Sequence, residues 1–418
     1  MGAFDYLLIV VYFLSFFFVV FWLITFLTEP FQKKARKLKK FPVITIAVPA
    51  YNEEKHLQKT IRSLIKLDYP KDKLEIVVIN DGSQDGTKRK AEEMIRTYPN
   101  HNIKLINKTN AGKGAALNDA IKISRGEFFV CLDADSYPQK NALKKILPHF
   151  KGNPETAVVL PCMKTCQGKN LLQKIQRYEY IVNMFYKELM ARLDCIRVTP
   201  GPFSVYRKSV LEKIGGFDED NLTEDLEMAL RLQKHNYKIT QTMETNVYTV
   251  PPDNFKGLLN QRNRWYKGSV LNTLKYKEMI FKKKFGDFGM MQMPITLISG
   301  AMTVIIITSA LYYLLKPVVE KIYQLYLIGF DLSALFNIQE WFSNFNILDL
   351  NFVMISLAVM MMTASFYVLK RSHINTHEKV LKQGLIPLVF YTLAYFFILG
   401  IVWVNIGFDL LLKRKQKW

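Results

Sequence analysis

Apolar and polar positions along the chain follow three patterns. From Leu7 to Leu27 the residues are apolar apart from Ser15 and Thr25, with none of the polar face that a helix on a soluble domain keeps. That length matches the ~20 residues a helix needs to cross a bilayer. After Pro42, short runs rich in β-branched residues alternate with helix-like segments. Val43 to Val48, Leu74 to Ile79, Ile103 to Ile106 and Phe128 to Leu132 read as strands; Glu53 to Leu67, Gln84 to Tyr98 and a segment beginning near Gly112 read as helices. Alternation of this kind, with strands apolar on both faces, predicts a mostly parallel sheet covered on both sides. Leu171 to Leu193 has helical spacing, either packing one face on the domain or lying along a bilayer or a ligand. In the last third the long apolar runs return, at Met293 to Leu315, Phe352 to Leu369 and Leu385 to Val404, and each predicts a membrane span. Leu325 to Phe336 is too short and carries Asp331, which suits an extracytoplasmic amphipathic segment.

Charge adds orientation to this pattern. The formal net charge of +21 could suggest nucleic acid, but the basic residues gather beside the apolar runs: six of the eight positions 33–40, then Lys282, Lys283 and Lys284. This is the positive-inside arrangement, and it points to a membrane surface with no nucleic acid partner. Asp5 before the first run and lysines after it exclude a cleaved signal peptide and suit an uncleaved anchor with its N-terminus outside. Lys370, Arg371 and Lys379 then fall inside, while the basic stretch Lys413 to Lys417 falls outside, against the rule. Phe255 to Phe285 mixes Lys and Arg with aromatic and aliphatic residues and leads into a span, so it reads as interfacial. The expected division is an anchor with its basic flank at 1–41, a cytoplasmic catalytic domain at 42–254, interfacial helices at 255–292 and three spans at 293–418. The four cysteines, with only Cys162 and Cys166 close in sequence, read as reduced thiols in a cytoplasmic domain.

Four clusters carry candidate chemistry. In parallel sheets ligands bind beyond the carboxyl ends of the strands, and Asp81 and Asp133 both follow such ends. Asp133 and Asp135 flank Ala134, so two carboxylates can share a Mg2+ or Mn2+ ion with the phosphates of a nucleotide-sugar. Asp81, in Asp81-Gly82-Ser83, suits a turn and helix cap or else hydrogen bonds to a base or ribose. Tyr51 and Glu53, after the first strand, can pack against and contact that base, and Lys113 in Asn110-Ala111-Gly112-Lys113-Gly114 lies at a helix start suited to an anion. In Thr223-Glu224-Asp225, Thr223 reads as a helix cap, and either carboxylate could serve as the base for an attacking hydroxyl. Gln261-Arg262-Asn263-Arg264-Trp265 supplies a guanidinium for a diphosphate and an indole on which a sugar ring can lie.

Asp81-Gly-Ser, Asp133-Ala-Asp135, Thr223-Glu-Asp225 and Gln261-x-x-Arg264-Trp265, in this order between membrane spans, closely resemble the membrane-bound family 2 glycosyltransferases. That family includes the hyaluronan, chitin, cellulose and poly-N-acetylglucosamine synthases, and the resemblance covers roughly residues 42–284. It implies an α/β GT-A fold beside a helical transmembrane region at the plasma membrane. Within it, Asp81 contacts uridine, Asp133 and Asp135 handle nucleotide and metal, and Asp225 rather than Glu224 is the general base. Arg264 then meets the diphosphate, while Trp265, Gln261, Glu224, Gly201 and Pro202 border the acceptor, and Leu171 to Leu193 becomes the helix near it. The expected activity is inverting, metal-dependent transfer from a UDP-linked sugar to a growing polysaccharide. Transfer of one sugar to a membrane lipid is the alternative, because ceramide glucosyltransferase carries a related Arg-Trp motif and the chain lacks both the gating-loop sequence of cellulose synthases and the Trp-Gly-Thr-Arg stretch of hyaluronan synthases. A nucleotide-sensing transporter is the remote alternative, since the three C-terminal spans contain no charged residue to line a substrate path.

Overall fold

A computed structural model of the chain describes residues 3–28, 38, 40–330 and 352–412. Most of the basic run at 33–40, part of the expected amphipathic segment Leu325 to Phe336, and Lys413 to Lys417 lie outside the described residues. The molecule divides into two compact units, one of Met1–Thr28 with Ile298–Lys370 and one of Glu29–Leu297 with Arg371–Trp418.

The first unit is helical. Helix α1 (Ala3–Thr28) leaves large apolar side chains such as Tyr6, Phe13 and Phe17 exposed along its length. Its hydroxyls turn inward: Ser15 donates to the Val11 carbonyl at 2.8 Å and Thr25 to that of Phe21 at 3.0 Å. Where water is absent, such bonding inside the helix leaves no polar group unpaired. Among the described residues two helical stretches are long and apolar enough to cross a membrane, Tyr6–Thr28 and Phe288–Leu327. The latter contains α10 (Met293–Leu327), most of which belongs to this unit. The expected third span lies on α11 (Phe352–Asn375).

The second unit is built on one eight-stranded sheet. Its strands are β1 (Ile44–Ala50), β2 (Leu74–Asp81), β3 (Asn102–Lys108), β4 (Phe128–Cys131), β5 (Tyr137–Pro138), β6 (Thr156–Thr165), β7 (Ser204–Arg207) and β8 (Lys238–Thr249). They lie in the order β3-β2-β1-β4-β7-β6-β8-β5. The strands read from the sequence are all present and mutually parallel. Beyond β4 the sheet turns mixed, because β7 enters antiparallel between β4 and β6. Alternate residues feed the two faces: Ile44, Ile46, Val48, Ile76, Val78, Phe128 and Val130 join one core, and Ala47, Val77, Ile79, Phe129 and Cys131 the other. Burial on both faces is why these strands read as unbroken apolar runs.

Two expected helices start later than their apolar spacing suggests. Helix α2 (Leu57–Ile65) begins after a turn in which the Glu53 carbonyl accepts from His56 and Leu57, and α3 (Thr87–Thr97) begins after Gln84 to Gly86 are used in loop contacts. Helices α4 (Lys113–Ile123), α5 (Ala142–Ile146), α6 (Leu171–Arg192), α7 (Lys208–Lys213), α8 (Glu224–Lys234) and α9 (Phe255–Lys275) follow. Two more, α12 (Leu385–Leu393) and α13 (Tyr395–Leu411), are bent by 40° about Ala394, so the expected fourth span is a bent pair.

Helix α6 is buried on all sides, not on the single face its periodicity suggested. It lies against β6 and β8 and also meets α12, where Tyr178 stacks on Tyr391 at 5.7 Å. Several of its buried charged side chains find partners. Arg177 reaches Glu378 at 2.7 Å, Glu188 binds Arg192 at 3.2 Å and Asn375 at 3.1 Å, and Glu179 meets Arg262. Cys131, Cys162 and Cys195 are buried free thiols and Cys166 is a partly buried one.

Candidate active site

The site begins with three loops stitched together past the parallel strands. After β1, Asn52 takes a left-handed backbone (φ 57°), which asparagine tolerates, and its N–H donates to Ser83 Oγ at 3.0 Å. Gln84 N–H returns a bond to Asn52 Oδ1 at 2.9 Å, and Glu53 N–H donates to Thr87 Oγ1 at 2.8 Å. Asp81, at the end of β2, accepts from the backbone N–H groups of Ala111 and Gly112 at 3.0 and 2.9 Å. The anion held just before α4 is therefore the protein's own carboxylate. Gly82 has to be glycine: its φ is +72°, and a Cβ there would lie 2.6 Å from Asn110 N.

Lys113, the first residue of α4, points away from that carboxylate into a second group of charges. Its Nζ lies 2.6 Å from Asp133 Oδ1 and 3.1 Å from Glu224 Oε1. These contacts join β4, α4 and α8 at one point, with the loop before β7 against them. A Cβ on Gly201 would fall 2.2 Å from Asp133 Oδ1 and 2.5 Å from Lys113 Nζ, so a side chain there would displace this ion pair. Pro202 is buried beside it, and Phe203 is fully buried with φ 61°, an uncommon conformation for a bulky residue.

Electrostatics mark the same cluster. Burial and then the Asp133 charge push the Asp135 carboxyl up to about 6, although Ser136 and Thr249 hydroxyls donate to it. Glu53 rises to about 7 through burial and then through Asp135, Asp133 and Asp85. Asp225 rises to about 6 through burial and the adjacent Glu224, with Lys113 and Arg264 opposing the shift. Burial is the largest cause of each shift, and neighbouring carboxylates add to it. Among the described residues no group of three or more His, Cys, Asp or Glu could hold a metal. Asp133, which Lys113 already contacts, and the nearby Asp135 do fit Mg2+ or Mn2+, which commonly take one or two protein carboxylates and complete their shell with phosphate and water. Asp133 and Asp135 would hold such an ion.

Asp225 is fixed through its backbone, its carbonyl accepting from Thr199 N and Oγ1 at 3.2 and 2.8 Å. Thr223 stands at the cap position of α8 but makes no capping bond, against the expectation from its sequence. Its hydroxyl instead accepts from Asn272 Nδ2 of α9 at 3.0 Å, and Gly268 of the same helix leaves room for it. The tertiary contact outcompetes the local one and ties α8 to α9.

Gln261 to Trp265 lie on α9. Arg264 falls within the electrostatic reach of Asp225. Gln261 Oε1 accepts from Arg262, and Arg262, which sequence reasoning gave no role, is fully buried and pairs with Glu179. Glu179 was equally invisible, since a lone glutamate on an amphipathic helix reads as a solvated position. Tyr51 remains half exposed and Trp265 partly so.

The structure therefore brings Glu53, Asp133, Asp135, Lys113, Gly201, Glu224, Asp225 and Arg264 together and binds Asp81 into the adjoining loop. A family model described as glycosyl transferase family 2 matches residues 45–215, the stretch that supplies the three loops, Lys113, Asp133 and Asp135. That stretch is a family 2 glycosyltransferase domain. Beyond that stretch, this glycosyltransferase is 29% identical over 377 residues to a poly-beta-1,6-N-acetyl-D-glucosamine synthase of Staphylococcus epidermidis, covering 89% of this chain and 84% of that one. It is 30% identical over 257 residues to a probable glycosyltransferase of Bacillus subtilis, covering 60% of this chain and 61% of that one. In fold it is similar to a mannosyltransferase from Pyrobaculum calidifontis solved with GDP-mannose and Mn2+, with a TM-score of 0.56 at 22% identity, covering 80% of this chain and 97% of that one. Its α/β core is of the GT-A kind that the motifs implied.

Proposed function

We propose that this glycosyltransferase extends a polysaccharide of N-acetylglucosamine at the plasma membrane, using a UDP-linked donor from the cytoplasm and inverting the anomeric carbon. The observation that carries the reading is the cluster in which Lys113 contacts Asp133 and Glu224, with Asp225 next to Glu224 and within reach of their charges; it supports a site in which donor and acceptor meet. Similarity to a poly-beta-1,6-N-acetyl-D-glucosamine synthase along most of both chains supports the polymer and the sugar. The two membrane-compatible helices and the basic residues beside them support a cytoplasmic catalytic domain.

In this mechanism Tyr51, Glu53 and Asp81 border the nucleotide and Arg264 faces its diphosphate. Asp133 and Asp135 would hold a divalent ion, which when bound would supply the positive charge that a departing diphosphate needs. Asp225 takes the proton from the acceptor hydroxyl, whose oxygen bonds to the anomeric carbon as the bond from that carbon to the diphosphate oxygen breaks. The hydroxyl attacks from the side opposite the UDP, so the new linkage has inverted configuration. Lys113 keeps Asp133 and Glu224 in register beneath the reacting groups. Trp265, Gln261 and the Gly201-Pro202 turn border the acceptor.

The test is a donor screen with the purified full chain. UDP-N-acetylglucosamine, UDP-glucose and GDP-mannose are each supplied with Mg2+ or Mn2+, and nucleotide release and product size are measured. Metal-dependent UDP release with a polymeric product is expected from the first donor alone. Release from another donor overturns the sugar, and a singly glycosylated lipid at every donor concentration overturns the polymer.

A further inference from the structure

The indole of Trp265 is covered by Arg262 of the same cluster, and Arg262 is in turn held from other helices. Arg262 is fully buried, and each of its three guanidinium nitrogens has a partner: Nε lies 3.2 Å from Glu179 Oε1, Nη2 lies 2.5 Å from Glu179 Oε2, and Nη1 donates to Gln261. A two-point pair fixes the plane of the guanidinium, and that plane lies over the Trp265 ring, 4.4 Å from its centroid. Glu179 Oε2 also accepts the Tyr395 hydroxyl at 2.7 Å, at the point where α12 bends into α13. Helix α13 is clamped to α9 at the next two positions, Trp403 stacking on Tyr266 at 5.2 Å and 13°, and Asp409 binding Lys267 at 2.9 Å.

A buried arginine-carboxylate pair is a weak stabiliser, because the desolvation of both charges consumes most of their attraction. What it supplies here is orientation. We infer that Glu179, Arg262 and Tyr395 are positioning residues that fix the Trp265 indole against the sugar acceptor, so that the bent helix pair α12 and α13 sets the acceptor geometry of the catalytic domain. The inference rests on the proposed reading of Trp265 as an acceptor contact. Tyr395 orients Glu179, Glu179 orients the guanidinium, and the guanidinium covers part of the indole and leaves part accessible to a sugar ring. The donor carboxylates are not in this chain of contacts, so donor handling is independent of it.

The experiment compares Tyr395→Phe, Glu179→Gln and the double variant in the purified full chain with UDP-N-acetylglucosamine and Mn2+. Free N-acetylglucosamine reports donor hydrolysis by water, and glycan reports transfer. Transfer is expected to fall about tenfold in Tyr395→Phe and up to about a hundredfold in Glu179→Gln, as small misplacements of a reacting partner do, with hydrolysis and donor KM at wild-type level. The double variant is expected to match Glu179→Gln, since Tyr395 acts through Glu179. Hydrolysis and transfer falling together, additive losses in the double variant, or wild-type transfer in either single variant overturns the positioning role. Tyr395→Phe removes one hydroxyl and decides the question by itself if Glu179→Gln fails to fold. No UDP release by the wild-type chain overturns the proposed function, and this inference with it.

Discussion

The proposed donor and acceptor sides of the site are held by different means. The proposed donor side is largely backbone work: strands β1, β2 and β4 end at neighbouring heights, and short loops bond to one another through N–H groups, as where Ala111 and Gly112 hold Asp81. The helices around the proposed acceptor side are joined by side chains, buried charges linking segments far apart in sequence: Glu179 to Arg262, Arg177 and Lys164 to Glu378, and Lys267 to Asp409. A binding surface made from strand ends is inherited with the sheet. One made from paired charges depends on each pair, and an unpaired buried charge is costly.

This contrast can be broken by experiment, and the largest effect is expected far from the chemistry. Among the described residues, Glu378 is the one carboxylate paired with two buried cations, Lys164 and Arg177, at 3.5 and 2.7 Å. Glu378→Ala leaves both uncompensated and is expected to cost about 3–5 kcal/mol of stability, measured by melting of the purified chain. An unchanged melting temperature would mean that the acceptor side does not depend on its charge pairs. Asp225→Asn is expected to reduce transfer about a hundredfold or more while UDP binding, followed by titration calorimetry, stays near wild type. Loss of both would place Asp225 on the donor side. The smallest effect concerns pH. Asp225 and Asp135 have carboxyls raised to about 6, so both are protonated, and unfit as base and metal ligand, as the pH falls through that value. The profile of kcat/KM is expected to be flat above about pH 7 and to fall with decreasing pH through about 6. Saturating metal, which favours the ionised form of Asp135, is expected to shift the falling limb to lower pH; a limb that does not respond belongs to Asp225 alone.

Legibility followed the same division. The strands β1 to β4, the helices between them and the positions of Asp81 and Asp133 past strand ends were readable, because strands buried on both faces leave unbroken apolar runs and ligand sites follow parallel strand ends. Strands β5 to β8 were not: β5 and β7 are short, β6 carries Pro161 within its apolar run, β8 mixes polar with apolar residues, and β7 pairs antiparallel across a long sequence gap. Thr223 misled because a capping residue is a local signal, while its hydroxyl is claimed by Asn272 of another helix. Lys113 was readable as a cation at a helix start, but its partners Asp133 and Glu224 come from β4 and α8.

Sequence by itself determined the residue types and their order: apolar runs long enough to span a membrane, an α/β core, paired carboxylates after a strand, an acidic helix start and an aromatic-basic cluster. These are local properties, set by periodicity and spacing along the chain. Tertiary structure alone decided which charges meet. Whether Glu179 is a solvated surface residue or the anchor of Arg262 depends on helices brought together from residues 171–192, 255–275 and 395–411, and an ion pair between distant segments leaves no periodic trace in either.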